Sequence, residues 1–362
     1  MEQTPLRYGI IGTGMMGLEH QRNLAALPGA IVTALADPDA GSRAQAQAEV
    51  GGEDALITAN YLEILDPDLV DAVVIASPNM THIEVAADAI RSGLHVLIEK
   101  PLATTVADCK ALMDLSQREG QVVAVGLEYR YMPPVAELIT TVHGGALGNT
   151  KMISITEHRF PFLVKVNNWN RFNENTGGTL VEKCCHFFDL MAHLAQAEPV
   201  SVMASGAMDV NHKDERYDGR TPDILDNAFV IVNFANGIRA SLDLCMFAEG
   251  SVDQEALSVV GDLGKAEAFL PSSTFRFGLR SGWHGGVEER VVLDPSIRHE
   301  GYHHGASYVE HLRFAEAIRT GRAPEIGLSD GLRSVAIGVA AQRSIEEGRV
   351  ITMDEVLGEE HC

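Results

Sequence analysis

Short apolar runs alternate with amphipathic stretches through the first third of the chain. Tyr8–Ile11, Ala30–Ala36 (AIVTALA), Val70–Ala76 (VDAVVIA), His95–Glu99 and Gln121–Val125 are short, apolar and rich in Val, Ile and Ala. Between them, Met15–Leu27, Gly41–Val50, His82–Ser92 and Val106–Glu119 have the spacing of helices. Strands apolar throughout are buried on both faces, and their alternation with helices predicts a parallel, doubly wound α/β sheet. This Rossmann-type domain is expected to span residues 1–127.

The pattern then changes. Lys151–Arg159, Asn227–Phe234, Ile238–Phe247, Glu255–Val260 and Lys265–Phe269 read as strands, several joined by short Gly or Asn turns. Asn236-Gly237 between two alternating runs is a strong hairpin signal. The spacing predicts helices over Thr179–Ala195, Tyr308–Thr320 and Ser329–Glu347, and a polar loop over Asp209–Asp226. Residues 128–362 are therefore expected to form an α+β domain with a largely antiparallel open sheet. Two domains suit a chain of 362 residues at roughly 100–200 residues each.

Charge and cysteine content remove several classes of function. A net charge of -22 repels phosphate backbones and anionic lipid, which argues against nucleic-acid or membrane partners. The five cysteines show neither CxxC spacing nor a disulfide ladder, as expected in a reducing compartment. The start of the chain lacks a leader pattern, and no apolar run approaches a membrane span. The expected location is the cytoplasm.

Candidate chemistry begins at Gly12-Thr-Gly14-Met15-Met16-Gly17, a G-x-G-x-x-G between the first strand and first helix. Glycines there allow a tight turn, close approach of a pyrophosphate and close helix–strand packing, and the helix N-terminus favours the anion. Asp37 lies 20 residues beyond Gly17. A carboxylate there accepts from ribose hydroxyls and repels a 2′-phosphate, which favours NAD. Arg43 nearby leaves NADP open. Asp37 could equally cap the following helix.

Ala76-Ser77-Pro78-Asn79-Met80-Thr81-His82 follows one strand, and Glu99-Lys100-Pro101 ends the next. With Gly177-Gly178-Thr-Leu-Val-Glu182-Lys183-Cys-Cys-His186-Phe-Phe-Asp189, Glu310-His-Leu-Arg-Phe314 and Asp330-Gly-Leu-Arg-Ser334, the chain resembles the Gfo/Idh/MocA oxidoreductases over nearly its whole length. The resemblance implies a Rossmann domain, an α+β domain whose open sheet forms a homodimer or homotetramer interface, and a substrate held over the nicotinamide. Cofactor contacts are expected from Met15, Met16, Ser77, Pro78, Asn79, His82, Glu99 and Lys100, beside the glycines, Asp37 and Arg43. His186 matches the family's catalytic histidine. Glu182 stands where the family has an active-site aspartate, about one methylene longer.

The expected chemistry is oxidation of a secondary hydroxyl of a sugar or cyclitol. Neutral His186 takes the hydroxyl proton, and cationic Lys100 stabilises the developing alkoxide. On one continuous helix, Glu182, His186 and Asp189 would share a face. Tyr129, Arg130, Lys165, Trp169 and His303, with Glu182, are further candidates for substrate binding; amides, charges and an indole suit a polyhydroxylated ring. Cys184, Cys185 and His186 are too close along a helix to bind one metal, so none is expected. Two rivals remain: a glycoside hydrolase working by redox elimination with NAD, and a non-enzymatic NAD-binding regulator.

Overall fold

The computed structural model describes residues 4–49, 55–115, 118–280 and 286–358. These divide into two compact units: residues 1–128 with 295–332, and residues 129–294 with 333–362. The predicted end of the second helix at Val50, and Cys362, lie outside the described residues.

The first unit is built on six parallel strands: β1 (Leu6–Ile11), β2 (Ala30–Ala36), β3 (Leu56–Thr58), β4 (Ala72–Ile75), β5 (His95–Glu99) and β6 (Val123–Gly126). Their order is β3-β2-β1-β4-β5-β6, with every pairing parallel. All four residues of β4 are buried, as an apolar run in a sheet covered on both faces should be. The order reverses between β1 and β4, which places ligand chemistry beyond the carboxyl ends of these strands.

The segment 295–332 belongs with this unit, unlike a simple cut at residue 127. Tyr308, Phe314, Ala315 and Ala317 on the helix Ala306–Thr320 share a hydrophobic cluster with Tyr8, Leu18, Leu24 and Leu35. The Val125 amide also donates to the Ile326 carbonyl.

The second unit has nine strands: β7 (Thr150–His158), β8 (Pro199–Ala207), β9 (Asn227–Phe234), β10 (Arg239–Cys245), β11 (Glu255–Gly261), β12 (Gly264–Leu270), β13 (Thr274–Leu279), β14 (Val287–Val291) and β15 (Ile351–Thr352). Their order is β14-β13-β12-β11-β7-β10-β9-β8-β15. The sheet is antiparallel except at its centre, where β7 pairs parallel with β10. The Asn236-Gly237 turn joins β9 to β10, with Gly237 at φ 83°. One face is apolar and covered, with Ile153, Ile155, Val230, Val232, Leu242, Leu244, Leu257 and Val259 all buried.

Several elements differ from expectation. The predicted helix over Thr179–Ala195 is two pieces, Thr179–Glu182 and Cys185–Ala195, interrupted at Lys183 and Cys184. Every residue from Thr179 to Ala192 is buried. Packing on all sides, rather than an amphipathic period, therefore sets the local conformation. Strands β8, β13 and β14 and the helix Pro133–His143 were not anticipated. β14 (VEERV) is exposed throughout, and its charged edge carries no inward apolar alternation. Among the described residues, no helix is long and apolar enough to cross a membrane, and no group of His, Cys, Asp and Glu could hold a metal ion.

Candidate functional site

In the first unit the three fingerprint glycines have three distinct reasons to lack a side chain. Gly12 has φ +88°, and a Cβ on it would stand 2.5 Å from the Ser77 amide nitrogen. A Cβ on Gly17 would stand 2.0 Å from the Gly12 carbonyl oxygen, so the helix lies hard against the turn. At Gly14 a Cβ would meet nothing within 4 Å. Gly14 is also the N-cap of the helix Met15–Ala26 and makes no side-chain cap. Open space at a helix N-terminus, between two cramped glycines, fits a dinucleotide pyrophosphate. Met15 and Met16 are the first two residues of that helix.

Asp37, nearly buried at the end of β2, accepts from the Thr13 amide at 2.7 Å and from the Asp39 amide at 2.8 Å. It thus ties the glycine turn to the second strand. The cap of the next helix is Asp39, whose carboxylate accepts from the Ser42 amide at 2.7 Å. Arg43 donates to the Asp37 carbonyl at 2.6 Å.

Ser77 and Pro78 lead into a short turn, in which the Ser77 and Thr81 hydroxyls are 2.7 Å apart and Asn79 is buried. His82 is fully buried, with Nδ1 2.8 Å from the Pro101 carbonyl and Nε2 3.0 Å from the Ser77 carbonyl. Burial holds its pKa below the usual value. Its ring therefore braces the ends of β4 and β5 against each other.

Lys100 is half-buried just past β5, and the Lys100–Pro101 peptide is cis. Glu99 beneath it is buried, one oxygen accepting from the Lys100 amide at 3.0 Å and the other lying 2.9 Å from His20 Nε2. His20 Nδ1 lies 2.9 Å from His311 Nε2. Burial disfavours the Glu99 carboxylate, but the His20 hydrogen bond and the nearby Lys100 charge outweigh it and hold its pKa low. Burial, then His20, keeps His311 neutral. The consistent proton arrangement runs His311 Nε2–H to His20 Nδ1, and His20 Nε2–H to Glu99. Two further carboxyls belong to this cluster. Glu310 is buried with neither oxygen hydrogen-bonded, and burial followed by the charges of Glu128 and Glu99 keeps it protonated. Glu128 lies 3.2 Å from His303 Nδ1, so in this structure His303 faces a carboxylate.

In the second unit, the imidazole of His186 lies parallel on the Tyr129 ring, centroids 3.9 Å apart and planes within 8°. Glu182 and Lys183, four and three residues earlier in the chain, are buried as well. Lys183 Nζ is 3.0 Å from Glu157 and donates to the Tyr129 hydroxyl at 2.8 Å. Arg130 grips both carboxylate oxygens of Asp189 through Nε and Nη2. This buried, charge-assisted bidentate pair fixes the two side chains against each other. Lys165 precedes the short helical turn Val166–Arg171 and Trp169 lies within it, both half-buried. In the same stretch Arg171 is buried and paired with Glu215 at 2.9 Å, anchoring the predicted loop.

Sequence reasoning missed Glu157 and Glu255, neighbours across β7 and β11. The signal was an acid at an inward position of each strand. Burial pushes Glu255 up to about 8, and the charge of Glu157 adds to this. A carboxyl raised in the folded state costs stability as pH rises from the ordinary 4.5 through 8. Glu255→Gln should therefore match the wild type in Tm below 4.5 and exceed it above 8, measured by calorimetry across pH. An unchanged Tm difference over that range would contradict the assignment.

Residues 6–127 match the NAD-binding Rossmann fold of the Gfo/Idh/MocA oxidoreductase family, and residues 139–353 match its C-terminal alpha/beta domain. The chain is 27% identical over 355 residues to myo-inositol 2-dehydrogenase of Thermotoga maritima, covering 98% of this chain and 100% of that one. It is 25% identical over 360 residues to scyllo-inositol 2-dehydrogenase (NAD(+)) of Bacillus subtilis, covering 96% of each. The structure of levoglucosan dehydrogenase in complex with NADH superposes with a TM-score of 0.86 at 23% identity, covering 97% of this chain and 99% of that one. With both of its units matched, the chain belongs to the Gfo/Idh/MocA family as an oxidoreductase with an NAD-binding Rossmann domain.

Proposed function

We propose that the protein is an NAD-dependent dehydrogenase that oxidises a secondary hydroxyl of a cyclitol or pyranose-like sugar, with Lys100 and His186 acting on the reacting oxygen. The observation that carries this reading is Lys100 at the carboxyl end of β5, on the same sheet as the glycine turn and backed by the ionised Glu99. Relatives named as inositol dehydrogenases, and a fold shared with levoglucosan dehydrogenase, support the substrate class.

In this mechanism bound NAD supplies the two-electron acceptor. The protein's own groups supply the rest. His186 Nε2 or Nδ1, in the neutral ring, takes the hydroxyl proton. Lys100 donates to the same oxygen and offsets its growing negative charge. Asp37 accepts from the adenosine ribose and disfavours a 2′-phosphate, so NAD is preferred over NADP. Glu182 contacts substrate from beside His186. We assign self-association as a homodimer or homotetramer to the open face of the second unit's sheet, where Met152, Met203, Phe229 and Ile231 are exposed.

The test is a screen of myo-inositol, scyllo-inositol, levoglucosan and simple pyranoses with NAD and NADP, following absorbance of the reduced nicotinamide. Reduction of NAD by at least one polyol, faster than of NADP, is expected. No reduction with any of them, together with glycoside cleavage or no chemistry at all, would overturn the reading.

A further inference from the structure

The mechanism above gives no task to Lys183, a buried cation three residues from His186. Burying an ammonium is costly unless it is paired and hydrogen-bonded. Lys183 has both kinds of partner, the Glu157 carboxylate at 3.0 Å and the Tyr129 hydroxyl at 2.8 Å. Its Nζ is 5.1 Å from the Tyr129 ring centroid. The ammonium also stands over the Phe187 ring, 5.5 Å from its centroid, so its hydrogen bond and both rings fix its place.

Those surroundings are also fixed. The imidazole of His186 lies flat on Tyr129 at 3.9 Å, and Phe187 meets the same ring edge-on at 5.7 Å and 72°. Tyr129 is thereby held at its hydroxyl by Lys183 and at its ring by His186 and Phe187. Glu157, which secures Lys183, is wholly buried on β7, with Arg159 at 3.4 Å. Its neighbour Glu255 is driven to the protonated form by burial and by the charge of Glu157. Glu255 therefore carries the proton of this neighbouring pair, and the Glu157 carboxyl oxygen stands 3.0 Å from Lys183 Nζ.

We propose that Lys183 is a positioning residue for His186: anchored by Glu157, its ammonium fixes the Tyr129 hydroxyl, and the Tyr129 ring in turn holds the imidazole in one plane for proton abstraction. This rests on the reading of His186 as the base. An imidazole turned about its side-chain bonds loses alignment with the hydroxyl proton, and misplacement of a reacting group by about 1 Å costs on the order of 100-fold in rate. Lys183 acts only through Tyr129, so it does not touch substrate or cofactor in this role.

The experiment is a double-mutant cycle with Lys183→Met and Tyr129→Phe. It is read by kcat and KM for the polyol that NAD oxidises fastest, and by the NADH dissociation constant from fluorescence titration. Each single variant should lower kcat by about 10- to 100-fold, with NADH affinity unchanged. The double variant should be no slower than the slower single variant, because both remove the same hydrogen bond. Losses that multiply in the double variant, or a wild-type kcat in Lys183→Met, would overturn the proposal. Tyr129→Phe keeps the Lys183–Glu157 pair and the stacked ring. If Lys183→Met does not fold, Tyr129→Phe decides the matter alone: a kcat loss at constant NADH affinity supports the proposal and a wild-type kcat overturns it. His186→Ala separates the two readings. If it keeps wild-type kcat, the base assignment itself fails. If it is inactive while the other two variants are normal, only the role of Lys183 fails.

Discussion

Replacing Lys100 with alanine is expected to lower kcat by about 1,000-fold or more while NADH still binds with wild-type affinity. Removing a single preorganised donor to a developing oxyanion typically costs roughly 100- to 1,000-fold, about 3–4 kcal/mol, and Lys100 contributes a full charge besides the hydrogen bond. The backbone that carries it is held independently of its side chain. The Lys100 amide donates to Glu99, Glu99 is fixed by His20, and His82 braces the Pro101 carbonyl. The alanine variant should therefore fold normally, and the loss should appear in turnover. Arginine should not restore the rate, since its planar fork cannot place one compact charge where the ammonium stood. Steady-state kinetics together with NADH fluorescence titration reads both halves of the prediction. A Lys100→Ala enzyme within tenfold of wild type would remove Lys100 from the chemistry.

Gly17→Ala should abolish measurable NADH binding and destabilise the first unit. The added Cβ would lie 2.0 Å from the Gly12 carbonyl oxygen, and the Gly12 turn, bonded to the Ala36 carbonyl and tight against Ser77, has no room to yield. The helix Met15–Ala26 must then move off the strands, at a cost of about 1–3 kcal/mol for an overpacked contact. Its N-terminus moves with it, so the pyrophosphate loses its donors. Gly14→Ala is the informative control, because nothing lies within 4 Å of its Cβ position. That variant should keep wild-type stability and lose affinity only through crowding of the ligand. Urea denaturation and NADH titration of both variants separate the two effects. Equal behaviour of the two variants would contradict the distinct roles assigned to these glycines.

The first unit was readable in the sequence because its signals are local. A strand apolar on both faces, a glycine turn and a helix start lie within residues 6–26, and β2 and β5 match their expected bounds residue for residue. Lys100 was legible as the residue ending a buried run. The second unit was less so, since its sheet is assembled from distant segments. β8 opens with proline and contains Ser, Ala and Gly, and β14 is charged throughout. Neither strand carries an alternation that a linear reading can detect.

The site shows the same division. His186 and Glu182 became candidates through a motif resemblance, but the helix expected to align them is broken, and a buried segment offers no period to reveal this. Arg130 and Asp189 are 59 residues apart, and nothing local announces that each satisfies the other. His20, His311 and Glu310 likewise meet only in three dimensions. Their polar character at positions with helical spacing gave no reason to link them to Glu99.

In the proposed mechanism hydride passes directly from the carbinol carbon of a polyol to the nicotinamide, while the hydroxyl proton goes to His186. This transfer is tested most directly with a substrate from the screen, deuterated at its carbinol carbons, incubated with NAD in ordinary water. Mass spectrometry of the recovered cofactor should show one deuterium in each NADH formed and an equal amount of ketone product. NADH free of deuterium, or product formed with no reduced cofactor, would contradict the account.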